Sequence, residues 1–305
     1  MRAVFYRSYG SLDNLEVGEL PEPKLGPDWV KVRVQASSVN PVDWKILTGR
    51  LDPLLYATFP VVPGWDLAGT VEAVGPAVTL VAPGDEVFGY ARMDFVHVGT
   101  FAEVTCVPER VLARRDGLDP TVAGAIPLAG LTAYQAIVER LRVEPGERVL
   151  ISAGAGGVGS FAIQIARDLG AEVLATGSAP SATVIAELGA EPIDREVPLA
   201  TALQGERVDK VLDLVGRSFL AEALALVGDP RRVASVADRT IVEEGGHYVF
   251  VRPDRPGLEQ LASWVREGRL RVPIAERFRL DQAREAFQRS MEGHVRGKLV
   301  IEVGA

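Results

Sequence analysis

The residues of this chain best suited to chemistry by type and spacing are glycines. Gly154, Gly156 and Gly159 lie within SAGAGGVG (152–159) and satisfy G-x-G-x-x-G, a pattern that lets a backbone wrap a diphosphate. In that arrangement Gly154 makes a tight turn, Gly156 lets the pyrophosphate approach, and Gly159 lets a helix pack closely on a strand. The amides of Ala155, Gly157 and Val158 between them would face the phosphates at the helix start. Metal chemistry has far less to work with. Cys106 is the sole cysteine, and His97, His247 and His294 are scattered, whereas zinc needs several thiolate or imidazole ligands together.

With 31 glycines in the chain, such a match carries weight only in context. The context is favourable: the strand-like RVLI precedes the loop, a helix with apolar Phe161, Ile163, Ile165, Ala166 and Leu169 follows it, and the strand-like EVLAT comes next. This predicts a βαβ unit holding a dinucleotide. A site for NAD places an acidic residue about 20 residues on, at the end of the second strand. Here no carboxylate falls between Glu172 and Glu187, and Ser178 and Ser181 could donate to a 2'-phosphate. NADPH is therefore expected in preference to NADH, although both serines also suit a turn and a helix cap.

These residues need a scaffold, and its two textures can be read along the chain. Up to about residue 115, short alternating runs predominate: in WVKVRVQ, Val30, Val32 and Val34 share one face and Lys31, Arg33 and Gln35 the other. This part is expected to be mostly sheet, curled or barrel-like. From Asp119-Pro120, a cap followed by proline at the first helical position, helices and strands alternate, which implies a doubly wound, mainly parallel sheet. After about residue 246 the first texture returns.

Composition limits the partners. A length of 305 residues favours two domains. The net charge is -8 with no basic block, which argues against nucleic acid and anionic membrane as partners. A single cysteine fits a reducing compartment. No apolar stretch is long enough for a signal core or a bilayer span, so a cytoplasmic protein is expected.

Seven collinear stretches carry a resemblance over the whole chain: NPVDWKILTG (40–49), FPVVPGWDLAGTVEAVG (59–75), GTFAEV (99–104), PLAGLTAYQA (127–136), SAGAGGVGSFAIQIA (152–166), VDKVLDLVG (208–216) and GHVRGKLVIEV (293–303). Together they resemble the medium-chain dehydrogenase/reductase superfamily in its zinc-free quinone oxidoreductase branch. The resemblance implies an α/β fold with a GroES-like, β-rich catalytic domain formed by 1–117 and 247–305, and a Rossmann domain of 118–246 that binds NADP. It also implies hydride transfer from NADPH to a quinone or an α,β-unsaturated carbonyl, and a homodimer. An alternative is a non-catalytic NADPH-binding sensor or structural protein of the same fold. Where zinc-dependent relatives have a Cys ligand this chain has Asn40, and where they have Gly-His-Glu it has Gly64-Trp65-Asp66. No zinc is expected.

The resemblance also assigns individual positions. Asn40 matches an asparagine that lines the nicotinamide pocket, yet Asn before Pro41 is equally a helix cap. Asp43, one turn on, could orient Asn40 or bind the pocket water, and an acidic residue near a helix start is favourable in any case. Thr132 matches a contact to the nicotinamide carboxamide. Tyr56, Trp65, Tyr90 and Phe95 could wall a pocket for a flat acceptor or pack in the core, with Tyr56 also a candidate proton donor. Leu214, Val215 and Ser235 end strands of the cofactor sheet and would border the nucleotide. Lys298 matches a residue that reaches the cofactor, or is a solvated lysine ahead of an edge strand. Relatives commonly place a base after the serine of the adenosine end. Here that position is Ala182.

Overall fold

A computed structural model describes residues 1–304. In chain order, the first elements are β1 (Arg2–Phe5), β2 (Glu16–Glu19), β3 (Trp29–Val39), α1 (Pro41–Leu47), β4 (Tyr56–Ala57), β5 (Asp66–Val74), β6 (Glu86–Tyr90), β7 (Phe95–Val96), β8 (Val104–Pro108), β9 (Leu112–Arg114) and α2 (Pro120–Ala125). There follow α3 (Pro127–Tyr134), β10 (Arg148–Ile151), α4 (Gly157–Asp168), β11 (Glu172–Gly177), α5 (Ala182–Leu188), β12 (Glu191–Asp194), α6 (Leu199–Leu203), β13 (Lys210–Asp213), α7 (Ser218–Val227), β14 (Val233–Ser235) and β15 (His247–Tyr248). The chain closes with α8 (Arg255–Arg266), β16 (Ile274–Arg279), α9 (Ala283–Glu292) and β17 (Lys298–Glu302).

Two compact units result. The first comprises Met1–Leu128, Arg252–Arg266 and the chain from Ile274 onward, and the second Ala129–Val251 with Glu267–Pro273. In the first unit β3 is the hub. Its alternating valines are buried as their spacing requires, and it pairs antiparallel with β5, β8 and β17. Register then sets neighbours that are far apart in sequence. Val39 pairs with Leu299 and Ala36 with Ala68, so continuing the ladders by antiparallel counting puts Asn40 opposite Lys298 and Ser38 opposite Asp66.

The second unit is built on a parallel six-stranded sheet in the order β12-β11-β10-β13-β14-β15. This is the doubly wound 3-2-1-4-5-6 order, which reverses between β10 and β13 and so opens a crevice at the carboxyl ends of those strands. Leu150, Leu174, Val211 and Val233 point from the sheet into a core with Leu199, Leu203, Leu220 and Ala223 of α6 and α7. The opposite side chains of the strands meet α4 and α5, where Phe161, Ile163, Ile165 and Ile185 are buried. Asp119 caps α2 through Thr121 and Val122 ahead of Pro120, as the pair predicts. One expected helix differs. The segment read as TAYQAIVERL is α-helical only to Tyr134 and continues as a wider π-helical segment over Gln135–Arg140, closed by Leu141 N–H on the Ala136 carbonyl at 2.9 Å.

Candidate active site

The glycine turn of the second unit follows β10 and is pinned to β11. Gly154 N–H donates to the Thr176 carbonyl at 2.9 Å and Ala153 N–H to Thr176 Oγ1 at 3.3 Å. Of the three glycines, Gly154 departs from the expected scheme. The left-handed residue of the turn is Ala153, at φ 50°, so the turn itself does not require Gly154. Gly154 is needed for packing, because a Cβ there would lie 2.6 Å from Ala175 Cβ and 3.1 Å from Ile163 Cδ1. Gly159 is needed for close approach of helix to turn: its Cβ would lie 2.3 Å from the Ala153 carbonyl oxygen and 2.8 Å from Gly154 Cα.

Gly156 is different. A Cβ there would meet only the Ala153 oxygen, at 3.2 Å, and Gly156, Gly157 and Val158 are all partly exposed. Gly156 is the N-cap of α4 and has no side chain to cap it. The amides of Gly157, Val158 and Gly159 open the helix, where no carbonyl one turn back can receive them. A bare helix start whose first amides are uncapped, with the positive end of a 12-residue helix behind it, fits a diphosphate. Ala155 is buried at 6% exposure and its side chain faces away from solvent.

The neighbouring strand ends are locked. Leu214 N–H donates to Ser152 Oγ at 2.7 Å, and Val215 and Gly216 N–H donate to Asp213 Oδ1 at 2.9 and 2.8 Å. Ser235 Oγ donates to Asp213 Oδ2 at 2.7 Å and accepts the amides of Ala237 and Asp238. The side chain of Ser235 is thus spent on its own turn, and the N–H groups of Leu214 and Val215 are taken, which leaves their carbonyls for a ligand. Ser178 follows β11 partly exposed, its Oγ 3.2 Å from Ser181 Oγ. Ser181 Oγ donates to the Ser178 carbonyl at 2.7 Å, the turn role its position suggested. Thr132 is buried in α3.

In the first unit the sheet register assembles a buried polar cluster around Asn40. Its Nδ2 donates to Asp66 Oδ2 at 2.7 Å and to the Ser38 carbonyl at 3.3 Å, and its Oδ1 accepts from Lys298 Nζ at 2.5 Å. Asn40 forms no side-chain cap hydrogen bond on α1. The α1 entry is held instead by Asp43 Oδ2, which accepts Asn40 N–H at 2.7 Å. One acceptor lone pair of the Asn40 amide remains. Lys298 is 3% exposed and β17 lies between β16 and β3. The reading of a solvated lysine before an edge strand is therefore corrected, since its ammonium is bound within this cluster.

Asp66, which stands in the sequence where zinc-dependent relatives carry a ligand, is the hub. Fully buried, it accepts from Ser38 Oγ, Asn40 Nδ2, the Leu128 amide at 2.6 Å and, at 3.4 Å, Lys298 Nζ. Its signal in the sequence was a carboxylate inside the apolar run VVPGWDLAG, because a carboxylate buried in a strand has to be paired. Burial pushes the Asp43 carboxyl up to about 7; the Asp66 charge adds to this, while the amides of Asn40 and Gly64 and the Lys298 ammonium oppose it. Nearby, burial also raises the phenols of Tyr6 and Tyr90, with Asp43 adding to both.

The donors around Asn40 and Asp66 are an ammonium, a hydroxyl and backbone amides, with no thiolate or imidazole, so they do not fit a tetrahedral zinc. Among the described residues, no three His, Cys, Asp or Glu side chains form a metal-binding group. His97 and His294 are exposed, and His247 lies on β15. Trp65 and Tyr90 are core residues in edge-to-face contact at 6.0 Å, which decides for the core reading of both. Tyr56 and Phe95 are 77% and 62% exposed on the paired strands β4 and β7, with ring centroids 6.2 Å apart.

Comparison with known proteins adds three relatives. Residues 26–116 match the alcohol dehydrogenase GroES-like domain family and residues 188–301 the zinc-binding dehydrogenase family. The chain is 30% identical over 325 residues to the chloroplast envelope quinone oxidoreductase homolog of Arabidopsis thaliana, covering 99% of this chain and 98% of that one. It is 30% identical over 312 residues to the chloroplastic NADPH-dependent alkenal/one oxidoreductase of the same plant, covering 99% of this chain and 79% of that one. Among solved structures, the quinone oxidoreductase from Coxiella burnetii superposes with a TM-score of 0.91 at 30% identity, covering 99% of each chain.

Proposed function

The chain belongs to the quinone oxidoreductase branch of the medium-chain dehydrogenase/reductase superfamily, and from that premise we propose that it transfers a hydride from NADPH to a quinone or an α,β-unsaturated carbonyl without a catalytic zinc. The observation that carries this reading is the 153–159 turn, in which the position left open to a ligand is Gly156, at the start of α4 and at the carboxyl end of β10. When bound, NADPH supplies the hydride from C4 of its nicotinamide.

The chain's own residues bind and orient. The amides at 157–159 receive the diphosphate, and Ser178 donates to the adenosine end. Thr132 serves the nicotinamide end. In the first unit Asp66 and Lys298 fix the Asn40 amide so that its remaining lone pair has one direction. Asp43 is a positioning residue, because its carboxylate is turned onto the amides of Asn40 and Gly64. The proton that completes the reduction comes from water or an exposed hydroxyl, with Tyr56 the candidate. An acceptor that is already electrophilic needs orientation and a proton more than it needs a Lewis acid.

Steady-state consumption of NADPH and NADH against a panel of quinones and enones tests the reading. Turnover with at least one acceptor, undiminished by chelator, is the expected result. Nucleotide binding with no turnover across the panel would point to the non-catalytic alternative. No helix among the described residues is long and apolar enough to cross a membrane. The proposed assembly is a homodimer, to be tested by light scattering, and the proposed compartment is the cytoplasm, to be tested by fractionation.

A further inference from the structure

The end of β11 lacks the carboxylate that would favour NADH, and the residues after it supply no base for a 2'-phosphate. The sheet brings one from another strand. β12 runs parallel to β11 with Gly177 paired to Asp194, and Arg195 N–H donates to the Gly177 carbonyl at 2.9 Å. Arg195 therefore starts one hydrogen bond away from the residue that precedes Ser178, although it is 17 positions along the chain from that serine.

The local chemistry leaves the arginine available. Its side chain is 49% exposed and is paired at 3.0 Å with the adjacent Glu196, itself 76% exposed. An exposed pair of this kind is weak and readily gives way to a stronger anion. Asp194, the one carboxylate in register with Gly177, turns its Oδ1 onto its own turn, where it accepts Glu196 N–H at 3.0 Å. A dinucleotide whose diphosphate lies at the start of α4 places its adenosine ribose at the end of the second strand, where an arginine can accommodate a 2'-phosphate. A guanidinium suits that dianion better than any neutral donor.

We propose that Arg195, acting with Ser178, binds the 2'-phosphate of NADPH and is the residue that sets the preference over NADH. The proposal rests on the NADPH reading given above. It is tested by fluorescence titration of NADPH and NADH onto the wild type and the R195Q and R195K variants, with 2',5'-ADP and 5'-AMP as competitors. Because Arg195 is exposed, both variants keep the fold. The ratio of NADH to NADPH Kd should fall about tenfold to a hundredfold in R195Q, with part of it restored in R195K. The advantage of 2',5'-ADP over 5'-AMP should fall in parallel, and the salt dependence of NADPH binding should become shallower. An R195Q protein that keeps the wild-type ratio overturns the assignment of Arg195 while the NADPH reading stands. A wild type that binds neither nucleotide, or binds both equally, overturns the NADPH reading and this inference with it.

Discussion

Asp66 and Lys298 lie 232 positions apart in the chain, yet their side chains meet at 3.4 Å with exposures of 0% and 3%. The ladders of β3 with β5 and β17 impose this meeting, and Asn40 bonds to both partners. A buried pair of this kind is no simple gain in stability, since both ions lose their water; removing one partner, however, strands the other.

Lys298→Met should therefore destabilise the protein by about 3–5 kcal/mol in urea unfolding. Adding Asp66→Asn should cost much less in that background than in the wild type, with a coupling of about 1–3 kcal/mol. Additive losses would show that the two side chains do not act as a pair.

Asp43 predicts a pH dependence. Its carboxyl is raised by burial to about 7, from an ordinary value near about 4 in the unfolded chain. Between those values the folded state binds more protons than the unfolded state. The stability from this group is thus fully present below about pH 4 and lost as pH rises to about 7. Urea unfolding should show a contribution from Asp43 of roughly 3 kcal/mol falling away between about pH 4 and pH 7. Asp43→Asn should flatten that part of the curve, and an unchanged slope would contradict the assignment.

The glycines of the turn separate stability from binding. Gly159→Ala forces a Cβ to 2.3 Å from the Ala153 oxygen and should cost about 1–3 kcal/mol in thermal or urea unfolding. Gly156→Ala meets one atom at 3.2 Å at an ordinary backbone φ of -73°. It should change stability by less than about 1 kcal/mol while weakening NADPH binding about tenfold or more in fluorescence titrations. Unaltered binding in Gly156→Ala would place the diphosphate elsewhere.

Much of this architecture was legible because its signals are local. The alternation in β3, the Asp119-Pro120 cap and the strand–glycine–helix sequence around 152–169 each depend on residues within one or two turns of one another. What was hidden depends on pairing between distant segments. Asp66 and Lys298 are neighbours only through two antiparallel registers, and Arg195 reaches Gly177 only through a parallel one. Aromatic character alone could not separate Trp65 and Tyr90, which pack inside, from Tyr56 and Phe95, which stand outside. The glycine motif located the turn and left its mechanics open, because the left-handed residue is Ala153 and the spacing of the glycines says nothing of φ.

Deuterium tracing follows the hydride itself from NADPH to the acceptor. The protein is incubated with NADPH bearing deuterium at the transferable C4 position and a conjugated enone that it reduces, and the product is analysed by mass spectrometry and NMR. A saturated ketone with deuterium at the β-carbon and a solvent-derived proton at the α-carbon is expected, formed at the same rate in the presence of chelator. Product without deuterium at the β-carbon, or turnover lost on metal removal and restored by zinc, would contradict zinc-free hydride transfer from NADPH.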